Sequence, residues 1–236
     1  MGEDARCLVL FDLDGTLVQG PPRARTAGYE AMCRAIETMS GQRDVAARVE
    51  FHGRTDRQIS RGLLLAAGEP DPGRARIDQL LGHYVAFLAQ GVTERPYRPI
   101  GSPREVFAAL AACGATLGYG TGNVRRGAAI KLESAGLADL APLERGGFGE
   151  DGDTRDEVLE VGARRCDPSR TLPVVVVGDT PHDVASAHAI GGRCVAVTTG
   201  KYGRRELEAC GADAVVRTVD AALIEAILRT ARRQVT

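Results

Sequence analysis

The feature that most constrains the fold of this chain is the run of valines at residues 174–177, bounded by Pro173 and Gly178. A short, continuous run of β-branched residues is typical of a strand that is buried on both faces of a parallel sheet. Residues 8–11 form a second apolar run of this kind. Weaker candidate strands are residues 116–119, residues 193–197 and a short edge strand at residues 214–216. The sequence therefore predicts a parallel sheet whose strands are spread along most of the chain.

Helical patterns lie between these strands. The candidates are residues 103–113, 124–135, 154–165, 181–190, 203–210 and 220–232. Strands that alternate with helices along the chain are typical of parallel α/β folds with right-handed crossovers. We therefore expect an α/β fold with a doubly wound, Rossmann-like parallel sheet.

The stretch from residue 20 to about residue 97 has a different pattern, because it contains no convincing strand. Helical spacing of apolar residues predicts helices at residues 24–39, from residue 56 to Gly68, and from Asp71-Pro72 to Gly91. Prolines mark both edges of the stretch, with Pro21 and Pro22 on entry and Pro96, Pro99 and Pro103 on exit. Such edges suit linkers, so we predict a core domain of residues 1–18 and 98–236 with an inserted all-helical cap domain of residues 19–97.

Composition excludes several classes of partner. The chain has 30 Lys+Arg against 31 Asp+Glu, a formal charge of −1, and its arginines are scattered. It therefore lacks the basic surface that nucleic-acid binding requires. Residues 106–124 carry no charge but are rich in glycine and alanine, which favours a helix, a turn and a strand over a membrane span.

The cysteines and the N-terminus indicate where the protein resides. None of the six cysteines belongs to a CxxC pair, and no histidine stands at zinc-ligand spacing from them. The apolar run at residues 8–11 is too short for a signal peptide. We therefore expect a cytoplasmic protein with reduced thiols.

Reactive side chains follow three of the predicted strands. Asp12 and Asp14 follow the first, Thr121 follows the strand at residues 116–119, and Asp179 and Asp183 follow the valine strand. Ligands of open α/β sheets bind outside the carboxyl ends of the strands. If these strands are neighbours, the five side chains converge on one crevice.

Crowded carboxylates need a compensating positive charge in a low-dielectric site. Mg²⁺ prefers oxygen ligands and binds through a few carboxylates together with a substrate phosphate. Asp12 and Asp14 stand two residues apart, so in an extended chain both project to the same side, while Leu13 points into the core. One carboxylate can then attack while the other handles a proton, which predicts a Mg²⁺-dependent phosphate site.

These motifs resemble those of a known family. Residues 12–16, Asp-Leu-Asp-Gly-Thr, resemble the first motif of haloacid dehalogenase (HAD) phosphatases. Residues 121–123 resemble the second motif and residues 178–183 the fourth, in the order and spacing of the family. The predicted helical insert is similar to the cap of the subfamily that includes phosphoglycolate phosphatases and β-phosphoglucomutases. The resemblance spans essentially the whole chain.

The resemblance implies a role for each residue. Asp12 would be the nucleophile that forms an aspartyl-phosphate, and Asp14 the general acid and then the general base. Thr121 would donate its hydroxyl to the phosphoryl group. Mg²⁺ would be held by Asp12, the Asp14 carbonyl and Asp179, with Asp183 as an outer or alternate ligand.

The family also supplies a phosphate-binding cation before the fourth motif, and two residues are candidates. Position favours Arg155, while Lys131 is either that cation or a solvated helix-face residue. Residues 52–56 resemble the specificity loop of the cap, in which Gly53 would permit a turn and Arg54 would meet the far end of the substrate. The predicted phosphate- and substrate-binding residues are Leu13, Gly122, Asn123, Lys131 and Arg54.

The resemblance implies a phosphomonoesterase that acts on a small phosphorylated metabolite, as a monomer or homodimer. A phosphoglucomutase-like phosphotransferase would use the same intermediate and stays open. A dehalogenase is disfavoured because it needs neither Asp14 nor a metal. A non-catalytic binding protein on the same scaffold would be favoured if Arg155 and Lys131 both lay far from Asp12.

Overall fold

The computed structural model describes residues 6–21 and 25–233. Several predicted features lie outside these residues: Pro22, the start of the first cap helix at residue 24, and both ends of the core domain at residues 1–5 and 234–236. The strands, numbered along the chain, are β1 (Leu8–Phe11), β2 (Val18–Gln19), β3 (Arg98–Pro99), β4 (Thr116–Gly120), β5 (Gly146–Gly147), β6 (Val174–Gly178), β7 (Arg193–Val197) and β8 (Ala214–Val216).

The helices carry the same chain-order numbering. They are α1 (Ala27–Ser40), α2 (Asp56–Ala66), α3 (Arg74–Glu94), α4 (Pro103–Ala112), α5 (Arg125–Ser134), α6 (Arg155–Cys166), α7 (Pro181–Ala189), α8 (Arg204–Ala209) and α9 (Ala221–Arg232). Each predicted helix and strand is present, with ends that shift by a few residues.

The central sheet has six strands in the order β5-β4-β1-β6-β7-β8, and every pairing is parallel. From β1 the chain builds outward through β4 and β5, and then returns to the other side of β1 to build β6, β7 and β8. The topological switch point, where α/β sheets bind ligands, therefore adjoins β1. The predicted doubly wound α/β fold is confirmed.

Both faces of the sheet are buried, which explains the uninterrupted apolar strands. Val9 and Phe11 belong to one apolar cluster, together with residues of α4 and α9. Leu8 and Leu10 belong to a second cluster, together with residues of α6 and α7. Because successive residues of a strand point to opposite faces, a strand covered on both sides cannot alternate polar with apolar residues.

Helices α1, α2 and α3 form a separate layer that we call the helical insert (residues 27–94). The Thr26 side chain caps α1 by accepting a hydrogen bond from Tyr29 N, and α1 ends at Gly41, whose φ of 70° suits glycine. A capping box between Thr55 and Gln58 starts α2. Ala31 and Met32 of α1 are buried within the apolar cluster that also contains Val9 of the sheet.

The chain enters and leaves the insert through a short ribbon in which β2 pairs antiparallel with β3. The predicted domain boundaries at residues 18/19 and 97/98 fall at this ribbon. Among the described residues, no helix is both long enough and apolar enough to span a membrane. The six cysteines are unpaired.

Three local features differ from expectation. Strand β5 consists of Gly146 and Gly147 alone, so it carries no apolar side chains that sequence patterns could detect. A short 3₁₀ helix at Val45–Arg48 was not predicted. Helix α3 begins at Arg74 after Gly73 rather than at Asp71-Pro72, and it continues past Gly91.

Candidate active site

The register of the sheet brings the predicted reactive residues to one level. Phe11 stands opposite both Tyr119 and Val177. Asp12 directly follows β1, whereas Thr121 and Asp179 directly follow β4 and β6. The three side chains therefore leave neighbouring strands at the same edge of the sheet, next to the switch point.

Asp12, Asp179 and Asp183 form a buried carboxylate cluster. One oxygen of each carboxylate lies within 4.8 Å of the others. Burial raises the pKa of Asp12, while Arg155 opposes this rise. Burial, together with the charges of Asp183 and Asp12, raises the pKa of Asp179 to about 8. Burial is thus the main cause of both raised pKa values, and the repulsion between the carboxylates adds to it.

Such a cluster fits a divalent cation, because a hard metal ion supplies the missing positive charge and prefers oxygen ligands. Three of the predicted metal-binding aspartates are in the cluster: Asp12, Asp179 and Asp183. The side chain of Asp14 is not. Asp14 was predicted to contribute its carbonyl oxygen, and this contribution stays a prediction.

Arg155 supplies the only cation in contact with the cluster among the described residues. Its Nη2 lies 2.8 Å from Asp12 Oδ1 and 2.6 Å from Asp183 Oδ1. Its Nε is buried and has no hydrogen-bond partner. A buried donor without a partner is costly, so this atom is available for an oxygen of a bound phosphoryl group.

Lys131 lies at the second carboxylate of the first motif. Its Nζ is 2.5 Å from Asp14 Oδ2 and 2.5 Å from Asn123 Oδ1, and Asn123 Nδ2 donates to Asp14 Oδ2 at 2.8 Å. The interpretation of Lys131 as a solvated helix-face residue is wrong, because α5 packs against α3 and its lysine lies 5.4 Å from the ring centroid of Tyr97. Burial alone would lower the pKa of Lys131, but Asp14 and other neighbours raise it well above its usual value.

Thr121 is fully buried beneath this edge. Its Oγ1 accepts hydrogen bonds from the backbone N and the Nδ2 of Asn123. A hydroxyl can accept two hydrogen bonds and donate one. Both bonds to Asn123 use Thr121 Oγ1 as the acceptor, so its O–H remains free to donate to a ligand. Leu13, which was predicted to bind phosphate, has its side chain in the apolar core.

Asp183 has two sets of partners. It forms a capping box with Thr180 at the start of α7, where its Oδ2 accepts from Thr180 N at 3.0 Å and from Thr180 Oγ1 at 2.7 Å. Its Oδ1 binds Arg155. A structural cap and a site carboxylate are thus combined in one residue.

Two glycines enclose the Asp179 carboxylate. A Cβ atom at Gly200 would lie 1.7 Å from Asp179 Oδ2, and one at Gly15 would lie 2.5 Å from the same oxygen. Thr16 Oγ1 also donates to Asp179 Oδ1 at 3.3 Å. Gly200 was not predicted as a site residue, although it follows β7, the strand next to β6, at the same edge of the sheet.

The helical insert contacts the second motif through the start of α2. Asp56 N donates to Gly122 O at 2.7 Å, and Val124 N donates to Asp56 Oδ2 at 2.8 Å. Gly53 has a φ of 71°, as the predicted turn requires, and packs against His182. Burial raises the pKa of Asp56 to about 7. The sequence included Asp56 in the predicted specificity loop but did not predict its contact with residues 122 and 124, because this contact arises only from the packing of the insert on the sheet.

A cavity of about 750 Å³ separates the strand edge from the insert. Asp12, Asp14, Lys131, Arg155 and Asp179 line its floor, and the exposed residue Arg54 lines the insert side. The predicted residues Gly122 and Asn123 are also in the lining. The cavity thus offers a candidate carboxylate nucleophile, a cation and a carboxylate cluster that could hold a metal ion to one ligand.

Comparisons with known proteins agree with this geometry. A phosphoglycolate phosphatase from Rhodospirillum rubrum is 30% identical in an alignment 230 residues long. The alignment covers 88% of this chain and 85% of the relative. The chain belongs to the haloacid dehalogenase-like hydrolase family. The family profile described as HAD-hydrolase-like matches residues 155–222 of this HAD hydrolase.

Solved structures show the same fold. A phosphonoacetaldehyde hydrolase-like protein from Oleispira antarctica covers 98% of this HAD hydrolase and 95% of its own chain, with a TM-score of 0.67 and 18% identity. A HAD hydrolase of family IA, variant 3, from Entamoeba histolytica covers 94% and 99% of the two chains, with a TM-score of 0.67 and 13% identity. The resemblance inferred from the motifs is confirmed, and this HAD hydrolase is a phosphatase.

Proposed function

We propose that this HAD phosphatase is a Mg²⁺-dependent phosphomonoester hydrolase that acts on a small phosphorylated metabolite through an aspartyl-phosphate on Asp12. The observation that carries the proposal is the position of the Asp12 carboxylate. It lines the cavity, lies 2.8 Å from Arg155 and shares a buried cluster with Asp179 and Asp183. A carboxylate nucleophile beside a cation and a metal-binding cluster meets the electrostatic needs of phosphoryl transfer.

In the first half-reaction, an oxygen of Asp12 attacks phosphorus, and the bond between phosphorus and the substrate oxygen breaks. Asp14 gives a proton to the leaving oxygen, which departs as an alcohol. Lys131 and Asn123 hold the Asp14 carboxyl in place. Arg155 and the hydroxyl of Thr121 donate hydrogen bonds to the transferring phosphoryl group.

In the second half-reaction, water attacks the aspartyl-phosphate. Asp14 takes a proton from this water, the bond between phosphorus and Asp12 breaks, and inorganic phosphate leaves with the enzyme regenerated. Asp12, Asp179 and the carbonyl of Asp14 would hold the Mg²⁺, with Asp183 beside them. When bound, the cation neutralises charge on the phosphoryl oxygens.

The position of Arg155 also bears on the non-catalytic alternative. That alternative would be favoured if both candidate cations lay far from Asp12, whereas Arg155 contacts Asp12 at 2.8 Å and Lys131 contacts Asp14. Both cations are therefore where phosphoryl transfer can use them.

The test is hydrolysis of para-nitrophenyl phosphate with Mg²⁺ or with a chelator, by wild type, Asp12→Asn and the control Asp139→Asn. Asp139 is exposed and pairs with Arg104 on the surface. We expect turnover that requires Mg²⁺, survives in the control and is lost in Asp12→Asn. Turnover that persists in Asp12→Asn would mean that another residue is the nucleophile. Because the curated relative is a phosphoglycolate phosphatase, 2-phosphoglycolate is the first metabolite to test.

A further inference from the structure

Apolar side chains of the helical insert form part of the cavity lining, beside the charged residues Arg25, Glu50 and Arg54. These apolar side chains are Tyr29 and Met32 of α1, Ile59 of α2, and Val49 and Phe51 of the segment between these helices. The rings of Tyr29 and Phe51 lie side by side, with centroids 5.1 Å apart and planes tilted by 47°. A wall of aromatic and aliphatic side chains binds an apolar group by removing it from water.

The cavity is also larger than a two-carbon substrate needs. Its volume of about 750 Å³ falls within the roughly 300–1,000 Å³ range in which proteins enclose drug-sized ligands. A phosphoryl group at Asp12 occupies the floor and leaves the space beside the apolar side chains for the rest of the substrate.

The charges around the cavity do not favour a second carboxylate near the phosphoryl group. Of the cations described in the lining, two are buried, Lys131 and Arg155, and both already pair with carboxylates. The other cations in the lining, Arg25, Arg54 and Lys201, are exposed. A short carboxylate such as that of glycolate would therefore find no buried cation in the described lining beyond Lys131, which pairs with Asp14, and Arg155, which serves the phosphoryl group.

We infer that this phosphatase selects a phosphomonoester whose alcohol carries an apolar group about the size of an aromatic ring, which packs against Tyr29 and Phe51. The inference rests on the proposed function, since it assigns the leaving group of the same reaction. Burial of a ring-sized apolar group changes a binding equilibrium by about tenfold or more.

The test compares kcat/KM for ethyl phosphate, 2-phosphoglycolate and 2-phenylethyl phosphate in Mg²⁺. Ethyl and 2-phenylethyl phosphate both release simple primary alcohols, so their ratio reports recognition of the ring. We expect 2-phenylethyl phosphate to exceed both other substrates by about tenfold or more. Equal values, or a preference for 2-phosphoglycolate, overturn the inference and leave the phosphatase assignment intact.

Phe51→Ala and the control Leu65→Ala test whether the preference for 2-phenylethyl phosphate depends on Phe51. Leu65 lies on the outer face of α2 and is 44% exposed. Phe51→Ala should lower the ratio of 2-phenylethyl to ethyl phosphate by about threefold or more, whereas Leu65→Ala should not change it. A Phe51→Ala protein that melts like wild type and keeps the wild-type ratio overturns the inference.

If wild type hydrolyses none of the three phosphates, the inference is tested by binding, and the proposed function by turnover of para-nitrophenyl phosphate. Calorimetry then compares 2-phenylethylphosphonate with ethylphosphonate in the presence of Mg²⁺. Binding that is about tenfold tighter for the aromatic phosphonate supports the inference, and equal affinities overturn it.

Discussion

At the scale of single residues, the site separates two cations that the sequence presented as alternatives. Arg155 contacts the nucleophile candidate Asp12, and Lys131 contacts Asp14. The two carboxylates of the first motif therefore have different environments although they are two residues apart. In the proposed mechanism, Arg155 stabilises the transferring phosphoryl group and Lys131 orients Asp14, the group that handles protons.

This division predicts the effect of removing the Arg155 guanidinium. Arg155→Ala should lower kcat by about 100-fold or more, because a lost donor to developing charge costs that much in other enzymes. Arg155→Lys should recover part of the loss, since lysine keeps the positive charge but lacks the planar guanidinium with its paired N–H donors. Steady-state kinetics of folded variants checks this, with Arg104→Ala as the surface control. Wild-type kcat in Arg155→Ala would remove Arg155 from the mechanism.

The sequence identified the residues that directly follow strands, because a strand end is visible in the pattern of apolar residues. Asp12, Thr121 and Asp179 are of this kind. It missed Gly200 and the contact that Asp56 makes with the second motif, since both depend on how separate segments pack. Asp56 reaches the second motif only through the docking of α2, and Gly200 matters only because Asp179 fills the space beside it.

At the scale of elements, hydrogen bonds at the start of α2 connect the helical insert to the loop that follows β4. The capping box of α2 orders the first turn, and Asp56 then exchanges two hydrogen bonds with residues 122 and 124. The carboxyl of Asp56 is buried there, and its pKa is raised to about 7. We therefore expect the attachment of the insert to depend on pH.

The sign of this dependence follows from proton uptake. In the unfolded chain an Asp has a pKa of about 3.9, so between about pH 4 and pH 7 the folded state binds more protons at Asp56 than the unfolded state. Its contribution to stability is present at low pH and is lost as pH rises. We compare the free energy of unfolding of Asp56→Asn with that of wild type. Between about pH 4.5 and pH 7.5 the difference should shift in favour of Asp56→Asn by on the order of 3 kcal/mol.

Urea unfolding in chelator at the two pH values measures this shift. An asparagine keeps an oxygen that can accept from Val124 N, so the bond to α5 is retained. Asp71→Asn, which alters an exposed side chain of the same insert, should follow the wild-type pH dependence. A constant difference between Asp56→Asn and wild type at both pH values would contradict the prediction.

The sequence predicted the long elements better than the short ones. Four consecutive valines, or apolar residues at helical spacing, produce a signal that packing rarely overrides. Strand β5 carries no such signal because glycine has no side chain to pack, and it pairs with β4 only through backbone groups.

At the scale of the whole molecule, a metal that binds only the folded chain must stabilise it. The cluster draws Asp12 from β1, Asp179 from the loop after β6 and Asp183 from α7. Unfolding separates these residues and destroys the site. A free Mg²⁺ concentration of 100 times the dissociation constant should add about 2.7 kcal/mol to the free energy of unfolding.

Thermal melts with increasing Mg²⁺ check this in wild type and in Asp179→Asn. The melting temperature of wild type should rise with Mg²⁺ and fall back when the metal is chelated. Asp179→Asn should show little response. An equal rise in both proteins would place the metal elsewhere.

The enclosure of the Asp179 carboxylate by Gly15 and Gly200 bears on how the relatives of this chain are judged. Neither glycine has a group that could bind or react, so a survey of catalytic aspartates would pass over both positions. In such a survey, a homologue with alanine at position 200 would be counted as having a complete active site. Its added methyl group would nevertheless occupy the space of a carboxylate oxygen. Loss of activity in a lineage can therefore begin at a residue whose contribution is to leave room.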